Sequence, residues 1–397
     1  MLLTMWRSPT ALPTGRRFGI RGLLAAVSLA SCPLACAAVL GLDDVMYQEE
    51  VAAPVDGSAA DGSAADGSAT DGGFADTREA SDATFSCDAD LASDPSNCGR
   101  CGHGCLGSTC VASACRPVTL APSNLPLRIA LGPGALYWTG GTAFEDIYVC
   151  SPADCSAGPK RLVHEIAMVH ELAVGPAFIY WSTDYRPGYV RACPHSDCAD
   201  ASFELAMVDD VYALAADDGG VYFGSSNPKS VRWCPSGTCD GGHVVPTLDG
   251  SSPLRLALDQ RNVYVGTYDS VNASSKNDAG VRSLLPSSAV AFATGAGALY
   301  AVTQTGTLWQ CPSVGGACVQ AASALGTVRS MAADDDGLYF AVGGEGIKTC
   351  DPRRCGETKA LLTADGDTTG VAIDGSYVYW TSMAAVDAGG AVRRVAR

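Results

Sequence analysis

The sequence predicts an all-β protein whose main body is a seven-bladed β-propeller, preceded by a small disulfide-rich module and a disordered linker. Three observations predict it. A hydrophobic–Tyr–hydrophobic step recurs seven times, at Tyr137, Tyr180, Tyr222, Tyr264, Tyr300, Tyr339 and Tyr379, at intervals of 36 to 43 residues. A period of about 40 residues, carried by β-branched and aromatic side chains, marks propeller blades rather than a solenoid of helix pairs. Each repeat also carries the same order of short strands and Asp/Gly-rich turns. Finally, the last repeat stops one strand short, while a spare strand precedes the first.

The elements of one repeat read as follows. A first strand such as "RIALG", "LAVGP", "RLALD" or "VAIDG" leads through a tight turn into the Tyr strand. A connection of variable length reaches a third strand: "DIYVC", "GYVRAC", "SVRWC", "GVRSL", "GTLWQC", "GIKTC" and "AVRRV". A fourth strand such as "KRLVHEI" or "KALLTA" completes the unit. The seventh unit ends after "GGAVRRVAR", and "RPVTLAPSN" at residues 116–124 resembles the missing fourth strand. Val118–Ala121 is therefore expected to pair with the strand around Val392–Val395, which closes the ring and removes its open edges. The propeller is expected to span 116–397.

The segments ahead of the repeats are of other kinds. Arg7, Arg16, Arg17 and Arg21 form a basic region ahead of the apolar "GLLAAVSLASCPLA", so residues 1–35 read as a signal peptide. "LASC" and "PLAC" both resemble lipoboxes, ending at Cys32 and Cys36. The chain has 18 cysteines; lipidation of Cys36 leaves an even 16 after it, which suits an oxidising compartment, so parity favours Cys36. Cleavage without lipid is the alternative. Residues 36–86 read as a lipid-anchored, acidic, low-complexity linker, its core the repeated "DGSAA" unit, too small and polar to bury a core. Residues 37–94 hold fourteen acidic side chains and one basic one, Arg78, so the formal net charge of −16 belongs mostly to this tether. That balance argues against nucleic acid as a partner.

"CDADLASDPSNCGRCGHGCLGSTCVASAC" packs Cys87, Cys98, Cys101, Cys105, Cys110 and Cys115 into 29 residues. In an exported chain such density reads as a three-disulfide module over 87–115, with connectivity open; zinc held by the Cys98/Cys101 pair is the rival reading. "NCGRCGHGC" resembles the cysteine-rich repeats of stigma-specific-protein-like modules, and "CAAVLGLDDV" resembles the start of a family of uncharacterised secreted bacterial lipoproteins. The second resemblance, with Ala37 after the lipidated residue, implies the outer membrane or cell surface.

Five further pairs fall in register: Cys150/Cys155, Cys193/Cys198, Cys234/Cys239, Cys311/Cys318 and Cys350/Cys355. Each closes the passage from strand three to strand four, where facing residues of an antiparallel hairpin lie within disulfide reach. Only "CPHSDC" carries a histidine, so a ring of metal sites is disfavoured. His195 and Asp197 there are read as loop fillers, with His195 exposed.

Signals for catalysis are weak. "HEIAMVHE", His164 to Glu171, has its second histidine two places too late for a zinc-protease helix and runs along strands. The sequence holds five histidines and no nucleophile elbow or phosphate loop. No catalytic, cofactor-binding or metal residue is therefore assigned, and no cofactor is expected. Basic residues recur on strand three (Arg191, Arg232, Arg282, Lys348, Arg393) and acidic ones in the turn after strand one (Asp217, Asp259, Asp334, Asp374). Structural ion pairs are the plain reading and an anion-binding ring the sharper one. The longest variable connections, 182–188 and 266–280, nominate Tyr185, Arg186, Tyr268, Asp269, Asn272, Lys276 and Asp278 as a binding face. The expected function is that of a lipid-anchored, non-catalytic binding protein of the cell envelope, with a protein, glycan or small molecule as ligand. The alternatives are an envelope enzyme, a lyase or hydrolase, working in the propeller channel, or a structural or adhesive surface protein acting through the cysteine-rich module.

Overall fold

Alternation along the Tyr strands decides how the blades pack. In each repeat the tyrosine faces the following blade, while the residues on either side of it face the preceding one. Tyr137 packs with Ile179 and Trp181 of the next blade, whereas Leu136 and Trp138 pack with Tyr379 and Val392 of the previous blade. The same division holds for Tyr180, Tyr222, Tyr264, Tyr300, Tyr339 and Tyr379. The period-2 geometry of a strand thus supplies every blade with two buried faces. The core is seven separate clusters, one at each blade interface.

The computed structural model describes residues 88–397, apart from 185–186, 199–200, 238, 240–241, 249, 278–279 and 384–389. Seven four-stranded antiparallel sheets make up the propeller. Their first strands are Ile129–Gly132, Val169–Val174, Asp209–Asp217, Arg255–Leu258, Ala289–Gly295, Val328–Ala333 and Thr368–Ile373. These strands pack against one another in sequence, and that of blade seven meets that of blade one, so they line a central channel. Gly370 makes this last approach: a Cβ there would lie 2.9 Å from the Leu127 carbonyl oxygen.

The ring closes as expected from the sequence. Val118–Ser123 is the fourth strand of blade seven, with Val118 opposite Arg394, Thr119 opposite Arg393 and Ala121 opposite Val392. Ala121 is buried beside Trp138 of blade one, so the closing strand is part of the core as well as of the sheet.

Blade four departs from the expected strands. Its third strand is Val271–Ser275, and "GVRSL" supplies its fourth, Val281–Leu285. Residues 266–280 are therefore not one long loop. The segment "VNASS" carries few apolar side chains, yet Asn272 and Ser274 are buried there because hydrogen bonds satisfy them. Asn272 donates to the Ser270 hydroxyl, and Ser274 donates to the Pro246 carbonyl.

The five staples pair as the sequence spacing suggests: Cys150 with Cys155, Cys193 with Cys198, Cys234 with Cys239, Cys311 with Cys318 and Cys350 with Cys355, at Cα–Cα separations of 4.2 to 5.5 Å. Their placement corrects the expected hairpin geometry. The first cysteine of each pair is the last or next-to-last residue of strand three, but no second cysteine stands on strand four. Cys155, Cys198 and Cys239 lie in the connection itself, and Cys318 stands just ahead of the fourth strand Val319–Ala322. Cys355 opens the short helix Cys355–Thr358. The reason is steric: with four to six residues between the cysteines, the chain is still turning when it reaches the second one. Each staple therefore pins a turn instead of cross-linking facing strand residues. Cys155, Cys198 and Cys355 are buried there, while Cys239 and Cys318 are half-buried and pack at the edges of their clusters.

In the module, Cys98 pairs with Cys110 and Cys105 with Cys115, while Cys110–Val111 and Ala114–Cys115 form a small hairpin. Cys101 is disulfide-bonded too; Cys87 lies outside the described residues. The module belongs to the same compact unit as the propeller, and its cysteines share a cluster with blades six and seven. The Tyr377 hydroxyl donates to the Leu106 carbonyl across this contact, at 3.2 Å.

Burial of the repeat tyrosines has a measurable consequence. Burial, with the Asp217 charge adding to it, pushes the Tyr222 phenol up to about 12. Burial and the hydrogen bond to Asp259 push Tyr264 up to about 12 as well. Tyr137, Tyr180, Tyr300 and Tyr379 are raised in the same direction, burial being the main cause in each. A phenol held protonated in the fold contributes stability that is complete below its unfolded pKa of about 10 and is lost as pH rises through the folded value. Tyrosinate absorbance at 295 nm in the native protein at about pH 11 is therefore expected to fall well short of that in denaturant, with unfolding stability dropping between about pH 10 and 12. Full tyrosinate absorbance from protein still folded at that pH would contradict the buried-tyrosine interfaces.

Candidate functional site

Antiparallel alternation sorts the connections to two ends. The turns from strand one to two and the stapled connections lie at one end. The entries to strand one, the connections from strand two to three and the ends of strand four lie at the other.

At the stapled end the recurring groups are structural. Asp259 accepts from the Tyr264 hydroxyl at 2.6 Å and Asp374 from the Tyr379 hydroxyl at 2.7 Å, each locking a repeat tyrosine to its own turn. Asp217 pairs with Lys276 of the next blade at 2.6 Å, and Asp334 with Arg397 at 2.6 Å. His195 is not an exposed loop filler. It is half-buried, takes the Tyr137 hydroxyl on Nδ1 at 2.9 Å and donates from Nε2 to the Gly175 carbonyl at 2.8 Å. The histidine inside "CPHSDC" ties blade one to blade two.

The strand-three cations are likewise held by neighbours. Glu165, beyond strand four of blade one, accepts from Trp181 Nε1 at 2.8 Å and from Arg191 at 3.0 Å. Asp365, equivalently placed after blade six, accepts from Trp380 at 2.6 Å, Ser382 at 3.0 Å and Arg393 at 2.9 Å. Lys348 pairs with Glu345 at 2.8 Å and donates to the Leu325 carbonyl. Arg282 stands on strand four, where it donates to the Ser313 carbonyl. Arg191, Arg282 and Arg393 form inter-blade ties and Lys348 an ion pair within its own blade, not an anion-binding ring.

The nominated binding face divides. Tyr268 and Asp269 stand in the turn from strand two to three of blade four, Tyr268 being 67% exposed. Asn272 is buried on strand three, and Lys276 lies at the opposite end, paired with Asp217. Tyr185, Arg186 and Asp278 lie outside the described residues. The shift of strand three in blade four is the reason: residues read as one loop pass from one end of the blade to the other.

What converges instead is a set of inner-strand residues. The residues paired with Trp138, Trp181, Phe223, Ala301, Phe340 and Trp380, and with Val265 in blade four, are Ile129, Leu172, Leu214, Phe292, Met331, Val371 and Leu256. One place earlier stand Arg128, Glu171, Ala213, Arg255, Ala291, Ser330 and Gly370. Four of these are small and three charged. Together with Arg329, most of them line a cavity of about 250 Å³ at the entry of the first strands. Aligning "RIALG" with "RLALD" carries the signal for this ring; the first letters of the strands hold it.

Arg128 donates from Nε to the His170 carbonyl at 3.2 Å and from Nη2 to Glu171 at 2.7 Å. Arg255 repeats the first bond, from Nε to the Val290 carbonyl at 2.9 Å, and donates from Nη1 to the Leu254 carbonyl at 2.6 Å. Arg329 pairs with Asp367. Burial, opposed by Glu171 and aided by Arg128, pulls the Arg255 guanidinium below its ordinary pKa. His170 is lowered too, by burial first, and its Nδ1 has no hydrogen-bond partner. On the same end stand exposed apolar side chains: Ile166 at 90%, Met207 at 66% and Leu248 at 52%.

Among the described residues, two clusters have metal-ligand composition. Cys98, Cys105 and Cys115 approach one another because two disulfides stack, and their sulfurs are bonded. Glu145, Asp146 and His164 lie close at the edge of blade one. There Glu145 is engaged by the backbone amides of Thr142 and Ala143, and Asp146 by the Tyr148 hydroxyl and His164.

No protein-family model matches the sequence, and no curated protein matches it. Solved structures similar to the fold include the computationally designed Ika8 protein, at 15% identity and TM-score 0.51, covering 66% of this chain and 84% of that one. They include U3-55K, at 11% identity and TM-score 0.58, covering 71% and 98%. They also include the WD40 repeats of RRP9, at 12% identity and TM-score 0.56, covering 71% and 97%. At these identities the likeness is one of propeller fold.

Proposed function

We propose that this protein is an exported, lipid-anchored, non-catalytic binding protein of the cell envelope that takes its ligand at the channel mouth. The ring of inner-strand residues, three small and three charged round one cavity, carries this reading. Small residues open the space and charged ones give it selectivity. Guanidinium groups stay protonated at any pH a cell meets, so they hold a ligand and do not shuttle protons. The apolar side chains exposed at the same end supply contact area round a polar centre. Cysteine pairs at disulfide distance are compatible with an exported protein in an oxidising compartment. The signal, lipobox and acidic tether support the address.

Two measurements test it. Cys36→Ser is expected to move the protein from the membrane fraction to the soluble exported fraction, while Cys32→Ser leaves it in place; membrane retention of Cys36→Ser removes the proposed anchor. The full mature chain is then screened against immobilised envelope glycans and small sugars and acids. Ser330→Trp, which plugs the cavity, is expected to lose capture that wild type shows. Equal capture by both would move the binding face elsewhere.

A further inference from the structure

Arg128 and Arg255 occupy the same position of the repeat, in blades one and four. Both send Nε to the carbonyl at the same position of the following blade, His170 in one case and Val290 in the other. The next residue in each following blade completes the pattern only once. Beside Arg128 it is Glu171, which takes the guanidinium at 2.7 Å; beside Arg255 it is Ala291. Among the described residues Arg255 makes no ion pair, and its Nη2 makes no hydrogen bond. Glu171 is matched by Arg128 and Asp367 by Arg329, so the cavity carries one uncompensated positive charge. A desolvated guanidinium with a free edge is costly without an anion, and its planar fork fits a carboxylate in two parallel bonds.

We infer that the channel mouth binds a small monocarboxylate ligand, whose carboxylate sits on Arg255 where Glu171 sits on Arg128. This deepens the proposed function by naming the ligand class of the same site. One unpaired charge selects a monoanion over a dianion. A cavity of about 250 Å³ lies below the usual size of drug-like sites, so it admits a small acid or a single acidic sugar, not a polymer chain.

The test uses the full mature chain and isothermal titration with acetate, glucuronate, inorganic phosphate and neutral glucose. Wild type is expected to bind glucuronate and acetate, phosphate more weakly, and glucose not at all. Arg255→Leu is expected to lose carboxylate binding by tenfold or more, and Arg255→Lys to keep part of it. Ala291→Glu supplies the missing internal carboxylate, so it is expected to abolish binding while the protein melts at least as high as wild type. Glu171→Gln frees Arg128 and is expected to strengthen binding severalfold. Carboxylate binding unchanged in both Arg255→Leu and folded Ala291→Glu would overturn the inference, as would tighter binding of glucose than of glucuronate. In the latter case, if Ser330→Trp blocks glucose, the channel-mouth reading of function survives and only the ligand class falls. Binding of glucose that Ser330→Trp leaves intact would sink both.

Discussion

Removing residues 116–124 from the mature chain is expected to abolish the single cooperative unfolding transition of the propeller. Val118–Ser123 is the fourth strand of blade seven, paired with Gly390–Ala396 from the far end of the repeats. Without it, Gly390–Ala396 becomes an open edge, and Ala121 no longer covers Trp138 and Val392. An open edge exposes unpaired backbone groups that water or another chain must satisfy. The pairing of Val118–Ser123 with Gly390–Ala396 is also, among the described residues, the one strand pairing within a blade that joins the two ends of the repeat array. The loss is comparable with the whole marginal stability of a domain, about 5–15 kcal/mol. Calorimetry checks it: a deletion that melts at the wild-type temperature in one transition contradicts the closure. Ala121→Asp, which keeps the chain length but buries a charge against Trp138, is expected to lower the melting temperature in the same direction.

The second large effect is expected at Asp365. Its carboxylate is buried and satisfies Trp380, Ser382 and Arg393 together, joining blade six to blade seven. Asp365→Ala leaves the Arg393 guanidinium without its partner and the Trp380 N–H unsatisfied. Breaking one side of such a pair costs about 3–5 kcal/mol. Arg393 is 29% exposed, and that exposure moves the expected cost to the lower part of the range. Asp365→Ala combined with Arg393→Met is expected to be less destabilised than Asp365→Ala alone, because the unpaired charge, not the lost bond, is the main cost. Equal or greater destabilisation of the double variant in urea unfolding would contradict that account. The corresponding Glu165 variants between blades one and two are expected to behave alike.

The repeat was legible because its physics is local. A tyrosine flanked by apolar residues, met at seven similar intervals, needs no knowledge of neighbours to be read as a strand buried on two faces. The ring closure was legible for a related reason: the last unit is a strand short, and "RPVTLAPSN" has the sequence of one. "VNASS" shows where this reading stops. Val271–Ser275 is a buried strand with polar side chains, Asn272 satisfied by Ser270 and Ser274 by the distant Pro246 carbonyl, and hydrophobicity along the chain does not mark it. His195 was misplaced for the same reason: its two partners, Tyr137 and Gly175, lie in other segments. The staples show both sides at once. Spacing alone pairs Cys155, Cys198, Cys239, Cys318 and Cys355 with the cysteines before them, but where strand four begins depends on the sheet, so their place in the turn was not readable.

By itself, then, the sequence determined the all-β repeat, its count of seven, the closing strand and the register of the cysteine pairs, because each rests on periodicity or spacing along the chain. The tertiary structure alone decided which charges are spent and which are free. Arg191 and Arg393 resemble Arg255 as letters, but neighbouring blades bring acids to the first two and Ala291 to the last. Charge compensation is a property of side chains that meet across blade interfaces, and the chain order does not record which ones meet.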